Sequence, residues 1–203
     1  MNVCHLGGFL FAAICLIQCS AVGQNVGPSS TQRPDAGSVQ GNTFKSNFFG
    51  FSYRFPTGWT VLNQESQSRI RLAKGKLYTL LFAKSASPGR IINPSDAAIV
   101  ILAEEVSQTD VRDGKQAATK LAEALTHAEP QHTMLGSPRE VALDGKSCYR
   151  LDYAQQTFPG VQHYFCSVVT VIKGYALRLS VIADSRAHME SICATTDTVR
   201  FEK

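Results

Sequence analysis

The sequence predicts an α+β domain in which helices pack on an antiparallel β-sheet. Three observations predict it: aromatic residues alternate with small or polar ones over residues 49–55, short glycine-containing turns separate apolar segments, and residues 110–130 carry a helical pattern. Consecutive strands joined by short turns pair antiparallel. The 203 residues, 44% of them hydrophobic, suffice for one full-sized core, so we expect one folded domain.

An export signal is predicted at the N-terminus. The run Leu6–Ile17 is uncharged and apolar but shorter than the about 20 residues that a membrane-spanning helix needs, which is typical of a signal-peptide core. Small residues, Ala21 and Gly23, stand at the two positions that signal peptidase reads. We therefore expect a signal peptide over residues 1–23, a mature chain beginning at Gln24, and a periplasmic or secreted protein.

Two alternatives to a cleaved, soluble form stay open. Cys19 would carry a lipid anchor in a lipoprotein, although a glutamine precedes it where a lipoprotein signal has a small residue. The start would be uncleaved or misassigned if the missing Lys or Arg ahead of the apolar run is decisive. Contact with a membrane is expected only through this anchor at Cys19.

Residues 24–43 are rich in Gly, Ser, Pro and Gln and contain almost nothing to bury. This composition predicts a disordered linker, which is either a tether or a simple tail. The folded domain is expected over residues 44–203.

The first predicted strand has a period of two. Its aromatic residues fall on one face, which we expect to be buried: Phe49, Phe51, Tyr53 and Phe55. Apolar segments at Ile70–Ala73 and Leu77–Ala83 flank a short glycine-containing connection and predict a hairpin. The run Ala97–Val106 predicts a buried strand, with a helix as the alternative.

The clearest helix begins near Asp110. Hydrophobic residues recur at three- and four-residue steps from Val111 to Leu125, which places them on one side of a helix. Asp110 is the expected N-cap, with Asp113 near the positive end of the helix dipole, and Pro130 ends the helix.

The C-terminal half predicts two hairpins and a final helix. Asp144-Gly145 separates two strand-like segments, and this dipeptide favours a two-residue turn because both positions take positive φ. Lys173-Gly174 separates the next two segments in the same way. Asp184 or Ser185 is expected to cap a short terminal helix.

Four segments together resemble the PsbP-like domains over residues 44–203: Gly50–Trp59, Asp144–Tyr153, Lys173–Leu177 and Val199–Phe201. The resemblance implies an α/β/α sandwich. That superfamily includes an extrinsic photosystem II subunit, a nuclear-import factor and many uncharacterised bacterial envelope proteins. The shared motifs are core and turn positions, so they indicate the fold and transfer no functional residue.

Three cysteines lie in the mature chain, an odd number that excludes complete pairing. A hairpin centred on Thr157 would place Cys148 opposite Cys166, and an oxidising compartment would favour a disulfide between them. Two buried thiols are the alternative, because cysteine is among the most buried residue types. Cys193 is interpreted as a core residue of the terminal helix.

No cofactor or metal is predicted. The mature chain's histidines lack the spacing of metal ligands, and neither a CxxC nor an HExxH motif is present, so we interpret all four as surface residues: His127, His132, His163 and His188. Gly145-Lys146-Ser147 resembles the end of a phosphate-binding loop, but the earlier glycine is missing and a hairpin surrounds it.

These patterns favour a non-catalytic binding or accessory domain of the cell envelope whose partner is an unidentified envelope protein or small ligand. The net charge of +4 is scattered along the chain, which argues against nucleic-acid binding. The alternative is an enzyme whose active site joins residues distant in sequence, such as His163, Asp152 and Cys166. A purely structural or stress-related role is a third hypothesis.

Overall fold

A computed structural model describes residues 34–62, 77–85, 96–128, 132–158 and 160–202. The predicted signal peptide, its cleavage residues Ala21, Gly23 and Gln24, the anchor position Cys19 and the segment Ile70–Ala73 lie outside these residues. Within the described ranges, no helix is long and apolar enough to cross a membrane.

A large antiparallel sheet forms the centre of the fold, with strand order β4-β5-β6-β11-β10-β9-β7, and β8 also pairs with β9. Its strands are β4 (Thr60–Val61), β5 (Leu77–Lys84), β6 (Ala98–Glu105), β7 (His132–Met134), β8 (Arg139–Leu143), β9 (Lys146–Phe158), β10 (Val161–Ile172) and β11 (Tyr175–Ala183). The predicted strands at Leu77–Ala83 and Ala97–Val106 are therefore confirmed as β5 and β6.

A small antiparallel sheet of four strands has the order β1-β2-β3-β12. Its strands are β1 (Ser38–Gln40), β2 (Thr43–Ser46), β3 (Phe51–Arg54) and β12 (Arg200–Phe201). The predicted aromatic face is confirmed, because the four alternating rings between residues 49 and 55 are buried.

The helices are α1 (Gly114–His127) and α2 (Arg186–Cys193), and a 3₁₀ helix (Ala194–Thr198) follows α2. The expected cap at Asp110 is wrong: Asp113 caps α1 by accepting a hydrogen bond from the Gln116 backbone N–H. Asp110 instead pairs with the Lys120 ammonium. Ser185 caps α2, as one of the two predicted candidates.

The large sheet is covered on both faces, which confirms the predicted α+β fold with helices packed on an antiparallel sheet. On one face α1 contributes Leu121 and Leu125 to a core with Val100, Leu151 and Phe165. The other face holds a second core, and α2 and the small sheet pack there: Phe44, Phe51, Tyr53, Ile101, Val181 and Met189. The small sheet is an addition to the single sheet that the sequence predicted.

The predicted linker, residues 24–43, extends too far, because β1 lies inside it. Ser38, Val39 and Gln40 pair with Lys45, Phe44 and Thr43 of β2 in antiparallel register. All three β1 side chains are exposed, so the strand forms through backbone pairing and leaves no hydrophobic pattern in the sequence. The ordered domain therefore begins before Phe44.

The two hairpin turns predicted in the C-terminal half are confirmed, whereas the connection of the predicted hairpin ahead of β5 lies outside the described residues. Asp144 and Gly145 have φ values of 49° and 76° between β8 and β9, and Lys173 and Gly174 have 52° and 78° between β10 and β11. Two successive positive φ values are those of a type I′ turn, whose twist suits an antiparallel pair. These turns set the register of β8 with β9 and of β10 with β11.

Candidate functional site

A disulfide joins the large sheet to the last helix. Cys166 of β10 bonds Cys193 of α2, and their Cα atoms are 6.3 Å apart, within the range that a disulfide spans. Both residues belong to the core between the large sheet, the small sheet and α2. The bond therefore fixes α2 against the centre of the sheet.

The predicted disulfide between Cys148 and Cys166 is wrong. The β9–β10 hairpin pairs Phe158 with Val161, so its turn comes later than Thr157, and Cys166 lies opposite Asp152. Cys148 is four residues from Asp152, about 13 Å along the strand at roughly 3.3 Å per residue. That exceeds the roughly 7 Å between Cα atoms that a disulfide tolerates.

Cys148 is a free thiol and is 1% exposed. Burial raises its pKa, although a hydrogen bond to Thr170 and the nearby Lys146 act in the opposite direction. It lines a cavity of about 30 Å³ between the two sheets, together with Val168 and Phe201. A desolvated, protonated thiol in such surroundings is chemically inert.

The residues of the enzyme hypothesis do not lie together. Cys166 belongs to the core on the small-sheet side. His163 alternates with Phe165, which belongs to the core beneath α1, so the two side chains share that face. Asp152 lies opposite Cys166 and shares its face. The sheet therefore separates His163 from the other two groups.

Asp152 is held in place by two arginine side chains. Asp152 is 8% exposed, and its carboxylate accepts hydrogen bonds from Arg150 Nε at 2.8 Å and Arg139 Nη2 at 3.1 Å. Its backbone carbonyl accepts a bond from the Leu135 N–H at 2.9 Å. These bonds attach β8, and the segment between β7 and β8, to β9.

Beneath α1, three polar side chains form a row across β7, β9 and β10. The register pairs Gln155 with His132 on one side and with His163 on the other. The three side chains, which we call the polar row, are 3% (His132), 2% (Gln155) and 1% (His163) exposed. The interpretation as surface residues is therefore wrong for these two histidines, whereas His127 and His188 are exposed.

The polar row contains unsatisfied atoms. Both ring nitrogens of His132 and the Oε1 atom of Gln155 make no hydrogen bond. Burial lowers the pKa of His132, while the nearby Leu125 carbonyl and Gln155 side chain act in the opposite direction without reaching good hydrogen-bond geometry. The His132 ring packs edge-on against Tyr153, with ring centroids 5.6 Å apart.

A chain of hydroxyl groups continues from the polar row. Tyr153 stacks on Phe165 at 4.7 Å and hydrogen-bonds Ser167, whose hydroxyl lies 2.8 Å from that of Ser180. Burial raises the pKa of Tyr153, and the Arg178 charge and the Ser167 bond act in the opposite direction. The buried hydroxyls therefore satisfy one another within the sheet.

A second cavity is a groove beside α1. Charged residues line this groove, whereas none lines the cavity beside Cys148. Its walls are apolar, formed by residues such as Leu102, Val111 and Leu121, and Glu104 and Arg178 are its charged residues. Burial raises the pKa of Glu104, and the Arg178 charge opposes this. The cavity measures about 30 Å³, room for one or two water molecules.

Among the described residues, no three His, Cys, Asp or Glu side chains converge as they would around a metal ion. Sequence reasoning missed the polar row, although one signal was present. His163 falls in the same alternation as Phe165 within a strand that was predicted correctly. His132 lies in a strand of three residues, too short to show a period of two.

No protein-family model and no curated protein matches the chain. Solved structures do. The solution structure of the cyanobacterial PsbP protein CyanoP from Synechocystis has a TM-score of 0.53 and 14% identity, covering 81% of this chain and 98% of that one. The crystal structure of LpqN, involved in cell envelope biogenesis of Mycobacterium tuberculosis, has a TM-score of 0.50 and 12% identity, covering 75% and 83%.

At these identities the similarity concerns the fold and not the activity. It extends over most of the chain and over nearly the whole of CyanoP. It agrees with the two antiparallel sheets and the two packed helices seen here. The chain therefore has the PsbP-like fold that its core and turn motifs predict.

Proposed function

We propose that this protein is an exported, non-catalytic binding or accessory domain of the cell envelope. The observation that carries the proposal is the Cys166–Cys193 disulfide. Disulfides persist in periplasmic and extracellular proteins and are rare in a reducing cytosol. The predicted signal peptide over residues 1–23 agrees with such a compartment. The fold similarity to LpqN, a protein involved in cell envelope biogenesis of Mycobacterium tuberculosis, supports the envelope as the location.

A binding role fits the described polar groups better than a catalytic one. Asp152 is held by two arginines, and the hydroxyls of Ser167 and Ser180 bond each other. A catalytic nucleophile needs a base within hydrogen-bond reach and a site for the reacting atom. Cys148, the free thiol of the described chain, is buried beside Thr170 instead.

The cavity sizes favour a macromolecular partner over an enclosed small ligand. The two described cavities measure about 30 Å³ each. Pockets that enclose drug-sized ligands measure roughly 300–1,000 Å³. An envelope protein that contacts the outer surface of the domain is therefore the partner we propose.

Thiol counting in fractionated cells tests the compartment. The full chain, tagged at its C-terminus, is alkylated under denaturing conditions without reduction, and its mass is measured. We expect a chain from the envelope or medium that lacks residues 1–23 and carries one free thiol, Cys148. The matched control Cys193→Ser should carry two. A cytoplasmic chain with Met1 intact and every thiol free contradicts export.

Crosslinking in intact cells, followed by purification through the tag, tests the binding role. Wild type should enrich one envelope protein reproducibly. The control is the Cys166→Ser/Cys193→Ser variant, in which loss of the disulfide destabilises the domain and should reduce the yield of that partner. Reproducible failure to enrich any envelope component, or turnover of an envelope substrate by purified protein, contradicts the proposal.

A further inference from the structure

The polar row includes the least satisfied buried groups of the described chain. His132 lies in β7, a strand of three residues that pairs with β9 at one edge of the large sheet. Both its ring nitrogens and the Oε1 atom of Gln155 lack hydrogen-bond partners. Most buried polar groups in proteins are hydrogen-bonded, and an unpaired one lowers the stability of the folded state because its desolvation is not compensated.

The groups around His132 include two neutral acceptors that favour a protonated ring, but burial outweighs them and lowers the pKa. On β9 the ring lies beside Gln155 and packs edge-on against Tyr153. His163 of β10 follows Gln155 in the same row. From α1 the Leu125 carbonyl is near. The titratable groups in the last turn of α1, His127 and Glu123, have exposed side chains. Among the described residues, no carboxylate contributes to the pKa of His132.

We propose that the polar row is a pH-sensitive contact in which protonation of His132 releases β7 and the C-terminal turn of α1 from the large sheet. A protonated imidazole has two N–H donors and carries a charge, and a buried charge without a counter-ion is unfavourable even where neutral acceptors are near. When β7 separates from the sheet, water hydrates the protonated ring of His132. A three-residue edge strand can do so without unfolding of the long central strands, because local openings require less free energy than global unfolding.

The lowered pKa of His132 determines how the stability of the closed state depends on pH. Burial lowers the pKa of His132 below its ordinary 6.5 in the closed state. In the open state the ring is hydrated and takes up a proton more readily. The stability of the closed state relative to the open state is therefore greatest above about pH 6.5. It decreases as the pH falls towards the folded-state pKa. Because one proton is linked to opening, the change is at most tenfold per pH unit, about 1.4 kcal/mol.

Opening would have a defined structural consequence. Tyr153 and Phe165, which are stacked beneath α1, lie two residues along β9 and β10 from the polar row, on the same face of the sheet. Release of β7 and the last turn of α1 would bring these rings to the protein surface. An apolar patch would therefore appear in acid at one edge of the large sheet.

Hydrogen exchange of the full chain from pH 8 to pH 5, corrected for the intrinsic rate, tests the proposal. In wild type we expect protection of peptides covering residues 121–128 and 132–134 to fall below about pH 6.5, by up to tenfold per pH unit. Protection of the centre of β10 should stay constant. His132→Phe keeps a ring against Tyr153 but cannot be protonated, so its protection should not change with pH.

Two controls assign the effect to its residue. His127→Gln removes an exposed histidine from the same turn of α1 and should keep the wild-type pH dependence. His132→Gln tests the same point if the phenylalanine variant does not fold. The proposal is overturned if wild-type protection does not change with pH, or if the change persists in the His132 variants. It is equally overturned if His163→Phe abolishes the change while the His132 variants retain it.

Discussion

Loss of the Cys166–Cys193 disulfide should destabilise the domain strongly. The bond closes a loop with a sequence separation of 27 residues. The chain-entropy relation assigns about 3.5 kcal/mol to a loop of this length, because the crosslink restricts the unfolded chain. In the folded domain the bond joins β10 to α2 through two buried residues. We therefore expect reduction to lower the free energy of unfolding by about that amount.

Urea unfolding of the full chain, oxidised and reduced, measures this difference. The matched control is Cys148→Ser, which leaves the disulfide intact and should respond to reductant as wild type does. Cys166→Ser should give a protein whose stability does not respond to reductant. A reductant effect well below 1 kcal/mol in wild type would refute the reasoning. So would a Cys148→Ser variant that no longer responds, because Cys148 would then be a partner in the bond.

Three further predictions follow from single residues. Gly37 has φ of +65°, and a Cβ there would lie 2.5 Å from the Phe44 ring, so Gly37→Ala should cost about 1–3 kcal/mol in urea unfolding; an unchanged midpoint contradicts this. Burial raises the pKa of Glu104 above its ordinary 4.5, so its contribution to stability is full below that value and is lost as pH rises. Glu104→Gln should therefore be more stable than wild type at pH 7 and not at pH 4, whereas a less stable variant at pH 7 contradicts this. Burial raises the pKa of Tyr53 to about 12, so wild type should lose stability between about pH 10 and pH 12. Tyr53→Phe should lose less over that range, and an equal loss counts against the assignment.

The strands and turns of the large sheet were predictable because their signals are local. Asp144-Gly145 favours two positive φ values through its own residue types, adopts them here, and sets the β8–β9 pairing. The buried run of β6 and the buried aromatic face around β3 also depend on nearby residues alone. Helix α1 was predicted from its apolar spacing, and its cap was misplaced by three residues.

The disulfide could not be predicted because it depends on register and on long-range packing. The β9–β10 turn lies later than assumed, and an irregularity between Val161 and Gln162 shifts the pairing. A shift of this kind changes which residues lie opposite each other without altering the hydrophobic pattern. The helical spacing that predicts a buried Cys193 gives no information on which strand α2 contacts.

The polar row and β1 were missed for a different reason. Both depend on short strands whose stability comes from backbone pairing to a neighbour, β7 to β9 and β1 to β2. Three residues are too few for a period of two to be read from a sequence. His132 is buried only because β7 pairs with β9 and α1 packs over it, and no local sequence pattern predicts these contacts.

Disulfide mapping of the protein recovered from the cell envelope tests the central claim most directly. Proteolysis without reduction, followed by mass spectrometry, should yield one peptide pair joined through Cys166 and Cys193, a peptide with free Cys148, and an N-terminal peptide that begins at Gln24. That result would support an exported PsbP-like domain whose sheet is bonded to its last helix. A peptide pair that contains Cys148, or a chain that begins at Met1 with all its thiols free, would contradict the account.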